Sequence, residues 1–231
     1  MLSIRELEAG YGESMILRDV RMQVEPGQVV CLMGRNGVGK TTLMKTIMGL
    51  IKPRRGSIAY NERDLTRASP DKRAKAGIGY VPQGRDVFPQ LTVEENLLLG
   101  LEASSIRRKS VPESVYGMFP VLKEMMRRKG GDLSGGQQQQ LSIARALVAE
   151  PKLLLLDEPM EGIQPSIVME IEQVIESIKA SKRMSVLLVE QSLTFATSIA
   201  DYYYVLDKGT IVAEGSSSTL SEEQVKKHLA V

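Results

Sequence analysis

The segment Gly34-Arg35-Asn36-Gly37-Val38-Gly39-Lys40-Thr41 decides the fold of this 231-residue chain. It follows an apolar stretch at residues 28–33 and precedes a helical pattern that reaches residue 50, a context typical of a phosphate-binding loop. Glycines let the backbone approach phosphate oxygens, while backbone N–H groups at the helix start supply positive potential. The predicted nucleotide-binding residues are Gly34, Arg35, Asn36, Gly37, Val38, Gly39, Lys40, Thr41 and Thr42.

Two residues of this loop have a predicted chemical role. We expect Lys40 to reach the β- and γ-phosphates of a nucleotide and the Thr41 hydroxyl to hold Mg²⁺. A second motif supports this expectation, because the apolar run at residues 153–156 ends in Asp157 and Glu158. Open α/β sheets bind ligands at the carboxyl ends of such strands. Asp157 is therefore expected to hold Mg²⁺ through its water shell, and Glu158 to act as general base on the attacking water.

The pattern of strands and helices predicts an α/β fold with a helical insertion. Apolar and alternating stretches predict strands at residues 1–7, 18–24, 28–33, 58–60, 78–81, 152–156 and 185–189, and a hairpin of 202–206 with 210–214. Helical patterns occupy residues 39–50, 92–101, 113–128 with a break near Pro120, 166–180 and a terminal stretch at 222–229. Because strand patterns give way to helical ones between about residues 84 and 150, a helical region is expected to interrupt the α/β core.

Composition excludes several functional classes. A net charge of +2 lacks the concentrated basic footprint of a nucleic-acid-binding protein, so no nucleic-acid partner is expected. No stretch approaches the roughly 20 apolar residues that cross a bilayer, and the N-terminus lacks the apolar block of a signal peptide. The single cysteine, Cys31, lies in an apolar strand and agrees with a reducing compartment. We expect a cytoplasmic protein.

The segment Asp132-Leu133-Ser134-Gly135-Gly136-Gln137 resembles the signature of the ABC ATPase family. A helix is expected at residues 141–149, and Ser134 is a suitable N-cap. The resemblance covers nearly the whole chain, and it implies that Leu133, Ser134, Gly135, Gly136 and Gln137 act on the ATP of a partner subunit. Two ATP molecules are then clamped between two domains, with Mg²⁺ as the metal cofactor.

The resemblance implies a single ABC ATPase domain. Its core, residues 1–84 and 151–231, is expected to have the P-loop NTPase fold, a mixed sheet with flanking helices plus an N-terminal antiparallel β part. Residues 85–150 are expected to form the inserted α-helical signature subdomain. Tyr11 matches the aromatic residue that stacks on adenine. Gln83 matches the glutamine that contacts Mg²⁺ and the attacking water, at a junction where family members receive a helix of the membrane permease.

Three positions depart from the family pattern. Met160 and Gln164 stand in the loop after Glu158, where many members have a small residue and an aspartate. Gln191 stands where the family has a catalytic switch histidine, and the only histidine, His228, lies near the C-terminus with an expected surface role. Glutamine can donate a hydrogen bond to a γ-phosphate, but it carries no proton charge near neutral pH. Gln191 is thus expected to act without titrating.

Further motifs resemble the subfamily of branched-chain amino acid and urea importers. They are Val189-Glu190-Gln191, the stretch 80–85, Phe88-Pro89 and the loop 161–165, the last being closer to the smaller ATPase subunit of the urea branch. This subfamily implies two permease subunits, a second and different ABC ATPase subunit, and an extracytoplasmic solute-binding protein. A homodimer in isolation is also compatible with it. The protein is then expected on the inner face of the cell membrane.

Three alternatives stay open at this point. A branched-chain amino acid is the second cargo that the subfamily allows. A soluble ABC ATPase that acts in translation or DNA repair would usually carry two cassettes or long coiled-coil insertions, and 231 residues have room for neither. A regulatory nucleotide-binding module without turnover is disfavoured by the presence of Glu158, although Gln191 is compatible with it.

Overall fold

The computed structural model describes residues 1–104, 108–191 and 193–219. The strands are β1 Leu2–Tyr11, β2 Ser14–Val24, β3 Val29–Met33, β4 Arg55–Tyr60, β5 Arg63–Asp64, β6 Ile78–Val81, β7 Leu153–Asp157, β8 Ser185–Val189, β9 Tyr202–Asp207 and β10 Thr210–Ser216. The helices are α1 Lys40–Met48, α2 Pro70–Lys75, α3 Val93–Gly100, α4 Glu113–Met118, α5 Pro120–Glu124, α6 Gly135–Leu147, α7 Pro165–Ser181 and α8 Leu193–Ile199. The expected α/β class, with a mixed and an antiparallel sheet, is confirmed.

The larger sheet has six strands in the order β10-β9-β3-β8-β7-β6. All neighbours pair in parallel except β10 with β9, and every residue of β3, β7 and β8 is buried. Strands buried on both faces need continuous apolar sequence, which these three have. Because parallel strands share a direction, the segments that follow β3, β6, β7 and β8 leave the sheet at one edge.

The smaller sheet is antiparallel, in the order β2-β1-β4-β5. Its buried face packs on helix α1, where Leu7 and Leu17 share a core cluster with Leu43 and Ile47. The two sheets are also joined by a hydrogen-bond pair, because the Tyr204 hydroxyl accepts from the Gln23 backbone N–H at 3.0 Å and donates to its carbonyl at 3.2 Å. The antiparallel sheet thus lies firmly beside the start of α1.

Helices α3 to α6 pack around a second apolar cluster that includes Leu97, Phe119, Leu122 and Leu141. Helix α3 begins at a capping box, in which the Thr92 hydroxyl accepts from the Glu95 backbone N–H and the Glu95 carboxylate accepts from the Thr92 backbone N–H. No helix in the described ranges has both the length and the apolar character needed to cross a membrane.

The structure corrects several boundaries. The helix expected at residues 141–149 begins at Gly135, because Ser134 caps it, and it ends at Leu147. The break expected near Pro120 in the helix at 113–128 is confirmed, because two short helices meet at Phe119, but the second ends at Glu124 and not at residue 128. Helices α2 and α8 were not predicted; α2, with the sequence PDKRAK, has no apolar periodicity to reveal it. The terminal stretch 222–229 and His228 lie outside the described residues.

Candidate active site

The phosphate loop closes around the side chain of Lys40. The Lys40 Nζ donates hydrogen bonds to the carbonyl oxygens of Gly34 at 2.8 Å and Arg35 at 3.0 Å. Gly39 precedes helix α1 with φ 115°, and a Cβ there would lie 3.1 Å from the Ile16 side chain of β2. Only glycine combines this backbone conformation with so close a neighbour. The loop is therefore pressed between α1 and the antiparallel sheet.

A cavity of about 310 Å³ lies in front of the loop. Its lining residues are Ile16, Asn36, Gly37, Gly39, Lys40, Thr41, Thr42, Gln83 and Glu158. The cavity is polar and lies at the start of a helix, where backbone N–H groups lack intrahelical partners and favour an anion. The side chain of Lys40 is only 4% exposed and adds a full positive charge. This site can hold a phosphate chain.

The carboxylate of Glu158 is the centre of the site. It lies 3.4 Å (Oε1) from Lys40 Nζ and accepts hydrogen bonds from Gln191 Nε2 at 3.2 Å (Oε1) and Gln83 Nε2 at 3.1 Å (Oε2). These partners follow β3, β8 and β6, so the parallel sheet brings them together with the end of β7. Glu158 itself has φ 50°, a conformation that costs a non-glycine residue free energy. The surrounding contacts thus fix the carboxylate in one orientation.

Asp157 has a different environment from its neighbour. Its Oδ1 accepts a hydrogen bond from the Thr41 hydroxyl at 3.3 Å, while its Oδ2 is buried without a hydrogen-bond partner among the described residues. Burial raises the pKa of Asp157 to about 6. A buried carboxylate oxygen without a partner is unfavourable unless a cation or donor reaches it. The residue types and this oxygen fit Mg²⁺, with Thr41 and Asp157 as ligands.

Gln83 and Gln191 connect the site to its surroundings. Gln83 Nε2 donates to Glu161 Oε2 at 2.7 Å as well as to Glu158. Gln191 Nε2 donates to Asn36 Oδ1 at 2.7 Å, which joins the segment after β8 to the phosphate loop. Gln83 Nε2 therefore holds two glutamates of one loop, whereas Gln191 Nε2 links Glu158 to the phosphate loop.

Glu190, in the motif Val189-Glu190-Gln191, is buried, and no role was predicted for it. It is 8% exposed, and its Oε2 accepts from the Gln191 backbone N–H at 3.2 Å. Burial raises its pKa to about 7, and the nearby carboxylates of Glu158 and Glu161 add to the effect. A glutamate between an apolar strand and a polar loop was the available sequence signal. Its burial could be seen only in the fold.

Tyr11 and the signature segment lie apart from the cavity. Tyr11 ends strand β1, is 51% exposed and is not among the described lining residues. In the signature segment the Ser134 hydroxyl accepts from the Gln137 backbone N–H at 3.3 Å, and the Gln137 Oε1 accepts from the Ser134 backbone N–H at 3.0 Å. Within the described part of the chain, none of residues 133–137 lines the cavity.

Comparison with known proteins identifies relatives over most of the chain. A family model described as "ABC transporter" matches residues 17–161. The high-affinity branched-chain amino acid transport ATP-binding protein BraG of Pseudomonas aeruginosa is 40% identical, over 95% of this chain and 94% of its own length. A probable branched-chain amino acid transport ATP-binding protein, LivF of Archaeoglobus fulgidus, is 37% identical, over 97% and 95%. The lipopolysaccharide export system ATP-binding protein LptB of Acidithiobacillus ferridurans is 34% identical, over 99% and 95%.

Solved structures agree with these relatives. A nucleotide-free ATP-binding cassette from an ABC transporter superposes with a TM-score of 0.83 at 29% identity, over 100% of this chain and 95% of its own. A dimeric ATP-binding cassette in a post-hydrolysis state, bound to ADP and Pi, also superposes with a TM-score of 0.83, at 26% identity over 94% and 99%.

Proposed function

Because the chain belongs to the ABC transporter family, whose ATP-binding subunits are ATPases coupled to transport, we propose that it hydrolyses ATP to energise an importer. The observation that carries the proposal is the convergence of Lys40, Gln83 and Gln191 on the Glu158 carboxylate, at distances of 3.4, 3.1 and 3.2 Å. A carboxylate held in this way beside the cavity of about 310 Å³ at the phosphate loop is suited to accept a proton from a water molecule.

The contacts suggest how nucleotide binding prepares the base. The Lys40 ammonium is shared between Glu158 and the carbonyls of Gly34 and Arg35. The β- and γ-phosphates of ATP are stronger partners for this ammonium and draw it away from the carboxylate. The amides of Gln83 and Gln191 stay on Glu158 and keep it oriented. Its lone pairs are then free to take the proton of the attacking water.

The same site is proposed to hold Mg²⁺ through the Thr41 hydroxyl, the Asp157 carboxylate and the Gln83 amide. Asp157 is the one carboxylate in this proposed set of ligands. Mg²⁺ is usually held by one or two carboxylates together with substrate phosphates. When bound, the ion would neutralise charge on the phosphate oxygens. Tyr11 is proposed to stack on the adenine ring.

A second ATPase subunit is proposed to complete the site. The residues Leu133, Ser134, Gly135, Gly136 and Gln137 stand outside this chain's own cavity, and their helix start can accept an anion. A dimeric solved relative bound to ADP and Pi supports an assembly of two cassettes. We propose that the physiological partner is a different ABC ATPase subunit, and that the chain alone can form a homodimer.

The permease contact is proposed at a cleft of about 660 Å³ beside α6. Apolar residues line it, among them Leu50, Phe88 and Leu99, which are 55%, 49% and 43% exposed. Exposed apolar residues gathered in one cleft are typical of a protein interface. We propose that each of two permease subunits places a helix on one ATPase, which puts the chain on the cytoplasmic face of the membrane. An extracytoplasmic solute-binding protein would deliver the cargo.

We propose urea as the cargo, on the resemblance of the loop Glu161-Gly162-Ile163-Gln164-Pro165 to the urea branch. Branched-chain amino acids are the second candidate, supported by the 40% identity with BraG. Uptake of labelled urea and labelled leucine by cells with and without the intact transporter separates them. Loss of urea uptake alone on deletion supports the first candidate, and loss of leucine uptake alone supports the second.

Glu158→Gln tests the enzymatic proposal. The amide cannot take a proton from water, so we expect turnover to fall by roughly 100-fold or more. ATP should still bind and should trap a dimer that sedimentation analysis detects. Glu161→Gln is the matched comparison, because both glutamates accept from Gln83 Nε2. Full turnover in Glu158→Gln together with loss of turnover in Glu161→Gln would mean that Glu158 is not the base.

A further inference from the structure

Three successive residues after Gln83 have left-handed backbone conformations. Their φ values are 91° at Gly84, 74° at Arg85 and 52° at Asp86. Arginine and aspartate rarely adopt this conformation, which persists only where surrounding contacts enforce it. One such contact comes from helix α6, where Arg145 Nη2 donates to the Asp86 carbonyl at 2.6 Å. The segment 84–86 is therefore strained and tied to α6.

The side chain of Arg85 extends from this strained segment to two distant loops. Its Nη2 donates to the carbonyl of Gly162 at 3.4 Å. Its Nη1 lies against Gly135, where a Cβ would come within 2.5 Å of that nitrogen. Any side chain at position 135 would displace the guanidinium. Arg85 thus bridges the first residue of α6 and the loop that follows Glu158.

Electrostatics alone does not explain this position. The N-terminus of a helix carries partial positive charge and disfavours a cation. The rigid, planar fork of a guanidinium, however, can donate from Nη2 to the Gly162 carbonyl while Nη1 packs against Gly135, which a lysine ammonium on a flexible stem does poorly. The geometry of the fork is therefore the feature that suits Arg85 to this place.

We propose that Arg85 is a positioning residue that fixes the N-terminal tip of α6 to the loop after Glu158. The inference rests on the proposed function, because this tip carries the residues that would meet the ATP of a second subunit. Without the bridge, the tip must be ordered when the two subunits close, and that ordering costs conformational entropy. The ATP concentration needed for closure rises, whereas turnover in the closed dimer is little changed.

The test compares dimer formation in the Glu158→Gln background, where ATP is not consumed. Adding Arg85→Ala or Arg85→Lys should raise the ATP concentration for half-maximal dimerisation about tenfold. Arg63→Ala is the control, since Arg63 is an exposed arginine on strand β5. In the hydrolytically active chain, the same Arg85 variants should raise the half-saturating ATP concentration and keep saturating turnover within about twofold.

A second measurement does not depend on dimerisation. In the ATP-free full-length chain, hydrogen–deuterium exchange of the amides at 134–140 should be faster in Arg85→Lys than in the unaltered protein, and unchanged in Arg63→Ala. Arg85→Lys keeps the positive charge, so it can be used even if Arg85→Ala fails to fold. Unchanged exchange in Arg85→Lys overturns the proposal.

The outcomes separate this inference from the proposed function. If Glu158→Gln forms no dimer with ATP, the proposed function fails, and exchange at 134–140 still decides the role of Arg85. If Glu158→Gln dimerises and the double variants have the same ATP concentration for half-maximal dimerisation as Glu158→Gln alone, Arg85 is not a positioning residue. Full dimerisation by the Arg85→Lys double variant would mean that charge, and not the bridging geometry, matters. The proposal would also be overturned if the Arg85 variants lost turnover at saturating ATP while the half-saturating ATP concentration stayed unchanged.

Discussion

The phosphate loop and the signature segment are both helix starts, but their surroundings differ. At the phosphate loop, Lys40 already has three partners in its own chain, namely Glu158 and the carbonyls of Gly34 and Arg35. At the signature segment, the side chains of Ser134 and Gln137 accept from each other's backbone N–H groups in the capping box. The first site faces a cavity of about 310 Å³, to which the second contributes none of its described residues.

This difference teaches where each motif acts. The phosphate loop gathers its ligand groups from four strand ends of one sheet, so a single chain can bind the phosphate chain of a nucleotide. The N–H groups of Gly135 and Gly136 have no intrahelical acceptors, since the first turn of a helix leaves such donors free. An anion from outside the chain would satisfy them. The motif that classifies the protein is thus the one for which we propose a second subunit.

The largest effect is expected from removing the charge at the phosphate loop. Lys40→Ala removes an ammonium that would make charge-assisted hydrogen bonds to phosphate. It also removes the hydrogen bonds that this ammonium donates to the carbonyls of Gly34 and Arg35. We expect ATP to bind roughly 100-fold more weakly, as measured by titration with a fluorescent nucleotide. Lys52→Ala, at an exposed lysine beyond α1, is the control. Binding within a few-fold of normal in Lys40→Ala would contradict the comparison.

A smaller effect, on a different step, is expected at the signature segment. Ser134→Ala should leave ATP binding by the monomer within about twofold and lower steady-state turnover by at least about tenfold, because the helix start would no longer be ordered against a partner's ATP. Thr92→Ala is the matched control, since Thr92 caps α3 with the same kind of capping box. Equal loss of turnover in both variants would mean that helix stability, and not the signature, is responsible.

The smallest effect on activity is expected beside Gln191, where the change is one of pH dependence. Burial raises the pKa of Glu190 from about 4.5 to about 7, so the folded state prefers its neutral form. The stability that this gives is fully present below pH 4.5 and is lost as the pH rises through 7. Glu190→Gln is neutral throughout, so its free energy of unfolding should improve relative to the unaltered protein at pH 8 by on the order of 2–3 kcal/mol. Denaturant titrations at pH 4 and pH 8 check this.

The ATPase pH profile separates Glu190 from Gln191. An inflection in turnover near pH 7 is expected to disappear in Glu190→Gln and to persist in Gln191→Ala, because glutamine does not titrate. An inflection lost only in Gln191→Ala would contradict the prediction.

Much of the fold could be predicted because its signals are local. The strands at 78–81 and 185–189 were predicted at their observed bounds, since short apolar runs between turn signals have few other solutions. The predictions failed where local signals were weak or conflicting. Helix α2 has only six residues without apolar periodicity, and the pattern at 113–128, whose break near Pro120 was predicted, ends at Glu124 and not at residue 128.

Parts of the candidate site were less accessible to sequence reasoning. Gln83, Glu158 and Gln191 were chosen by motif, and the structure brings their side chains together. The role of Arg85 had no sequence signal of its own, because its two contacts, Gly135 and Gly162, lie 50 and 77 positions away. Such contacts depend on how the segments are arranged in space.

The sequence by itself determined the pieces of this protein: a phosphate loop before a helix, a carboxylate pair after an apolar strand, and a capped helix at Ser134. Each rests on interactions between residues a few positions apart, which local sequence specifies. Only the tertiary structure decided that β3 lies between β9 and β8, and so which loops meet at Glu158. Strand order is set by long-range packing of buried apolar faces, and many orders satisfy the same local preferences. For that reason the contacts of Glu158 with the neighbouring loops could be seen only in the folded chain.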